Sequence, residues 1–166
     1  MNIQDVLTIY DYNYWANKII LDVSAKVTQE QFDKPASFPY GGLRGTLLHI
    51  LDAEWGWRNL LQYNDLTVPD LDIKDFPTQT VLQARWMKEE QEMRAYLAGL
   101  RDEDLGARFN YTNSAGEPRS RILWHCLLHV VNHGTQHRGE AAALLTEYGQ
   151  SPGDLDFTLF LYENKL

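Results

Sequence analysis

A single cysteine, Cys126, stands in the 166 residues. It excludes an internal disulfide and fits a reducing compartment. Lysine and arginine form no cluster, and the net charge is −8. That balance argues against a nucleic-acid surface. No apolar run reaches the roughly 18 residues of a membrane span. None near the start resembles a signal peptide, because Asp5, Asp11 and Asn13 interrupt it. Internal repeats, low-complexity tracts and linkers are also missing. These absences lead to the expectation of a soluble cytoplasmic protein with no nucleic-acid and no membrane partner. The length suits one domain spanning residues 1–166, large enough for a real core.

What is abundant is aromatic and imidazole side chains. Five Trp and nine Tyr are many for this length. Packing accounts for most of them, and some can line a pocket or an interface. Four of the five histidines fall in one stretch, at 125, 129, 133 and 137. Each step is of four residues, so on a helix the imidazoles form a ladder along one side. Such a ladder still turns by about 40° per rung, so its four members spread over roughly 120°. With His125 at zero, His133 and His137 fall near 80° and 120°, beside Cys126, Leu144, Val130 and Tyr148 at about 100–140°. The apolar stripe is thus expected to centre on His133 and His137. His125 and His129 should be solvated or interfacial. Rings four residues apart stand about 5–6 Å from one another and can converge on one ion. Two hydrogen-bonded core histidines are the competing reading, since burying imidazole without a partner is costly.

Along the chain, Asn2 can cap a first helix, with Asp5 at the third position, and the helix should fade near Lys26. Thr28 can cap a short extra turn, TQEQF. The breaker-rich DKPASFPYGG must be loop. A second helix runs from about Leu43 to Asn64 and carries His49 on one line with Ala53, Gly56 and Leu60. Ala53 and Gly56 leave space beside the histidine, and Trp55 and Trp57 flank the line as candidate walls. A lone histidine so placed is, by itself, more often a hydrogen-bonded core residue. The stretch DLTVPDLDIKDF should be extended. Thr78 caps a third helix reaching about Leu100, whose segment KEEQEMR reads as a solvated face. A small hairpin or extended loop fits Asp102 to Arg119. Ser120 is the expected cap of the ladder helix, which stops at Gly149. DLDFTLFLYENK makes a short final helix or cover. The expected fold class is all-α, a four-helix bundle with a long crossover, the hairpin or loop before helix four, and a short C-terminal helix.

Four stretches taken together resemble the DinB family, bacterial four-helix-bundle proteins also called DinB/YfiT-like. They are Y-x-x-W-A-N (Tyr12 to Asn17), LLHILDAEW (Leu47 to Trp55), HVVNHGTQHRGEAAALL (His129 to Leu145) and GQSPGDLDF (Gly149 to Phe157). The H-x-x-x-H-R-G element with a histidine in helix two is the specific part; the first-helix piece is weak alone. The resemblance implies a divalent ion held by three histidines, matching His49, His133 and His137. It also implies a DNA-damage or stress setting, and kinship with transferases and an isomerase that use a small-molecule thiol.

Three imidazoles leave an ion with positions open to water or substrate, as catalytic sites do. Zinc or nickel suits such ligands. Glu140, three residues after His137, is the first candidate to receive a ligand's second ring N–H. It reads alternatively as a fourth ligand, a general base, or a surface partner of Arg138. Asp52 and Glu54 lie off the line of His49 and are weaker candidates. Three functions follow: a metal-dependent transferase taking a low-molecular-weight thiol to an electrophile, a metal-dependent hydrolase activating water, or a non-catalytic metal- or small-molecule-binding stress protein. A basic, partly aromatic mouth built from Arg44, Arg58, Arg121 or Arg138 would favour the first. Thiol-independent ester cleavage would favour the second, and four protein ligands the third. A small-molecule substrate is the expected partner, and homodimerisation by helix packing is compatible with the aromatic content.

Overall fold

The computed structural model describes residues 1–65, 67–113 and 115–166. Leu66, in the acidic stretch, and Ser114, in the expected hairpin turn, lie outside the described residues. Four long helices form the bundle: α1 (Ile3–Ser24), α3 (Leu43–Tyr63), α4 (Gln79–Ala98) and α6 (Leu123–Glu147). α6 and α4 each pack against both α1 and α3. The connections 25–42 and 99–122 therefore join helices diagonal to one another. The first holds the short helix α2 (Gln29–Asp33); the second holds α5 (Asp102–Leu105) and a hairpin of β1 (Arg108–Thr112) and β2 (Pro118–Ile122). α7 (Phe157–Asn164) closes over α1, and no described helix is long and apolar enough to cross a membrane.

The caps follow side-chain chemistry. Asn2 and Asp5 form a reciprocal capping box on α1, and Thr28 and Gln31 form another on α2. Thr78 caps α4 by accepting from the Val81 N–H. Ser120 does not cap α6. It lies in β2 opposite Asn110, and the helix begins three residues later, after Ile122. The hairpin takes over the capping function, since the Leu123 N–H donates to the Ala107 carbonyl at 3.0 Å. At the other end Gly149 adopts φ +77°, and the Gln150 N–H returns to the Leu145 carbonyl at 2.8 Å.

The core divides into two apolar clusters. One gathers Ile20, Phe32, Leu47, Leu51, Trp86 and Leu144; the other gathers Tyr10, Leu61, Met93, Leu97, Leu127 and Val131. Buried polar residues occupy the level between them: Asn13 and Asn17 on α1, Glu54 and Arg58 on α3, Glu89 on α4, and Arg138 on α6. The segment KEEQEMR is thus not wholly a solvated face. Glu89 is buried, pairs with Arg58, and also accepts from Arg85 at 3.1 Å. Its period places it inward, where an arginine from α3 meets it.

Candidate metal centre

α3 and α6 present three histidines to one another. Nε2 of His49 faces Nε2 of His133 at 3.0 Å. One nitrogen from each of His49, His133 and His137 lies within 4.8 Å of the others. The ring centroids are 4.5 to 4.8 Å apart, with planes steeply inclined to one another. The antiparallel run of the two helices produces this meeting. Trp57, two turns beyond His49, lies beside His129, one turn before His133.

Burial lowers the pKa of His49, and the neighbouring His137 lowers it further. His133 is pushed down to about 4 by burial and then by His137, His49 and His129. Both rings are therefore neutral at cellular pH, with lone pairs free to bind an ion. Nδ1 of His137 sits 2.8 Å from Oε2 of Glu140. An ionised carboxylate only accepts, so the proton belongs on Nδ1 and the lone pair of His137 on Nε2. Three imidazoles with converging nitrogens fit a divalent ion of the zinc or nickel kind.

His133 is not at the centre of the buried stripe of α6. The buried side runs through Val130, Gly134, Arg138, Ala141 and Leu145, which leaves His137 buried and His133 half-buried at the margin. Arg138 and Gly134 belong to this side because they pack on α1, which apolar periodicity alone does not register. The outcome suits chemistry, since a ligand at the margin stays within reach of a small molecule. His125 and His129 are exposed.

Tyr40 escaped the sequence reading because it lies in the breaker-rich loop. Its ring stacks on His49, with centroids 3.4 Å apart and planes 13° apart, and meets His137 edge-on at 5.3 Å. Glycines allow this approach. A Cβ on Gly45 would stand 2.0 Å from the Tyr40 carbonyl oxygen, and one on Gly42 would stand 2.0 Å from that of Lys34. The pairing of glycines with an aromatic before a histidine helix was the available signal.

The arginines do not assemble a basic mouth. Arg58 and Arg138 are buried in polar contacts, and Arg44 binds Asp33 at 2.6 Å and the Ile73 carbonyl at 2.7 Å. Of these four, Arg121, on the hairpin, is exposed. Of the candidate walls, Trp57 lies against His129 and Tyr111, while Trp55 turns toward Arg85 of α4. Asp52 accepts from the Leu71 N–H at 2.8 Å, and Glu54 accepts from the Tyr14 hydroxyl at 2.7 Å. Both carboxylates are thereby committed outside the histidine cluster.

The bundle and the three-histidine cluster coincide with a family-wide match. The sequence model of the DinB family covers residues 1–165. The chain belongs to the DinB family. It is similar to "Protein DinB" of Bacillus subtilis (strain 168), with 24% identity over 163 residues, covering 95% of this chain and 94% of that protein. Within this DinB-family chain, the stretch His129 to Leu145 supplies two of the clustered histidines and Leu47 to Trp55 the third.

Proposed function

We propose that this protein is a divalent-metal enzyme that binds zinc or nickel through His49, His133 and His137 and activates a small thiol, in transferase chemistry, or water at that ion. The observation that carries the reading is the convergence of three ring nitrogens within 4.8 Å, without a fourth His, Cys, Asp or Glu in the group among the described residues. Three protein ligands are the pattern of a catalytic site with room for an exogenous ligand. When bound, the ion supplies Lewis acidity that brings the pKa of a thiol or water toward neutrality.

The chain's own residues then have distinct tasks. Burial keeps His49 and His133 neutral, so protons compete weakly with the ion. Glu140 holds the proton of His137 on Nδ1 and sets the ring's direction. Tyr40 covers one face of the His49 ring. Trp57 and His129 border the cluster on the hairpin side and would contact a substrate approaching between α3 and α6.

The test is metal analysis by mass spectrometry of untagged protein, followed by transfer assays pairing low-molecular-weight thiols with an electrophile such as a chlorodinitrobenzene. About one zinc or nickel per chain and metal-dependent thiol consumption are expected. Turnover of an ester without any thiol would replace the transferase reading with the hydrolase. No uptake of zinc or nickel on titration would remove both.

A further inference from the structure

The polar layer between the two apolar clusters sits at the level of the histidines. Its centre is Asn13 of α1, which is 1% exposed. Its amide does two opposite things. Nδ2 donates to Oε2 of Glu54 at 3.3 Å, and Oδ1 accepts from Nη1 of Arg138 at 2.5 Å. Glu54 lies five residues along α3 from His49. Arg138 directly follows His137 on α6. Asn13 therefore joins the two histidine-bearing helices through a third helix.

We infer that Asn13 is a positioning residue for the metal centre, holding α3 and α6 at the separation that lets His49 meet His133 and His137. The inference rests on the metal-binding reading above. A primary amide is suited to the task because one end donates and the other accepts. It links a buried carboxylate to a buried guanidinium that no direct hydrogen bond joins among the described residues.

Both groups are anchored on their far sides. Glu54 also accepts from the Tyr14 hydroxyl at 2.7 Å. Arg138 also donates to Asn17 Oδ1 at 2.8 Å and to Thr135 Oγ1 at 2.7 Å. Nothing in this chain of contacts hydrogen-bonds to a histidine. The route these contacts offer to the ion is the relative placement of the helices. Three imidazoles on two helices are sensitive to such placement, since a productive site tolerates errors of only about 0.5 Å.

Gly134 gives a second, separate sign of the same device. It follows His133 directly. A Cβ there would stand 2.9 Å from Arg138 Nη1 and 3.2 Å from Asn13 Oδ1. The missing side chain lets the guanidinium and the amide lie against the α6 backbone beside the ligand. Glycine inside a helix is otherwise unfavourable relative to alanine, so the contact supplies a reason for its presence.

The experiment is a cobalt(II) titration of the full-length, metal-free protein, followed by visible d–d absorption and accompanied by thermal melts. Cobalt reports ligand geometry directly. The variants are Asn13→Asp, which puts a second carboxyl beside Glu54, Asn13→Leu, which removes both hydrogen bonds of the amide, and Gly134→Ala. Met93→Ala, in the apolar cluster reached by α4, serves as a destabilised control. Both Asn13 variants should bind cobalt at least about tenfold more weakly than wild type, with altered visible bands. Met93→Ala should lower Tm and leave affinity and spectrum unchanged. Gly134→Ala should weaken cobalt binding although alanine favours the helix, and it decides the matter alone if the Asn13 variants do not fold.

Wild-type cobalt affinity and spectrum in the folded Asn13 variants, or in Gly134→Ala where those do not fold, would overturn the positioning role and leave the metal centre standing. Failure of the wild type to bind cobalt, zinc or nickel would instead remove the metal centre, and the positioning role with it.

Discussion

Nδ1 of His137 and Oε2 of Glu140 stand 2.8 Å apart, one turn from each other on α6. The contact assigns the ring proton to Nδ1 and leaves the lone pair on Nε2. Replacing Glu140 by alanine frees the ring to rotate and to exchange tautomers. The expected result is about 10–100-fold weaker zinc or nickel binding with the helical content intact. Calorimetric titration with circular dichroism as the control checks it. Unaltered affinity would mean that Glu140 does not orient the ligand.

On the proposed reading, the ladder separates into His133 and His137, which join the cluster with His49, and His125 and His129, which do not. Alanine at His49, His133 or His137 should each abolish stoichiometric metal uptake. Alanine at His125 or His129, both exposed, should leave one equivalent bound. Metal analysis after exhaustive dialysis distinguishes the two groups. Loss of the ion on changing His129 would extend the site along the ladder.

Arg58 makes a two-sided ion pair in the polar layer, with buried Glu89 and with Glu92, which is 41% exposed. Removing Glu89 leaves much of a buried guanidinium uncompensated. Glu89→Ala should therefore cost about 3 kcal/mol or more. Glu92→Ala should cost less than about 1 kcal/mol, because water can replace the carboxylate. Urea unfolding of both variants measures the difference, and equal losses would contradict the burial argument.

Glu54 gives a pH dependence with a definite sign. Burial pushes its carboxyl up to about 7, against the pull of the Tyr14 hydroxyl. The folded protein thus binds this proton more tightly than the unfolded chain, whose carboxyl titrates near the ordinary value of about 4.3. The resulting stability is complete at low pH and is lost as pH rises through about 7. Glu54→Gln removes the titration. Between about pH 5 and about pH 8 its stability relative to wild type should improve by about 2 kcal/mol, measured by urea unfolding. A difference independent of pH would place the carboxyl near its unfolded value.

Local features were legible residue by residue. Asn2 with Asp5, Thr28, Thr78 and Gly149 mark helix ends because capping depends on neighbours in sequence. Ser120 misled because the hydrogen bond that starts α6 comes from Ala107, across the hairpin. Asn13 read as a break in an apolar pattern, and Glu89 as part of a charged surface. Both are buried because their partners, Arg138 and Arg58, arrive from other helices.

What the sequence determined by itself is the set of helices, their ends, and the turn spacing that makes His133 and His137 neighbours. Each of these depends on contacts within about one turn of chain. Tertiary structure decided the rest. It brought His49 to His133 across two helices, laid Tyr40 on the His49 ring, and turned Arg58 and Arg138 away from any mouth into the core. Those outcomes depend on which helix faces which, and the rotation of a helix is set by all of its packing partners together. Polar residues inside the bundle are the least legible of all, since a buried charge and a solvated one look alike until the partner is in place.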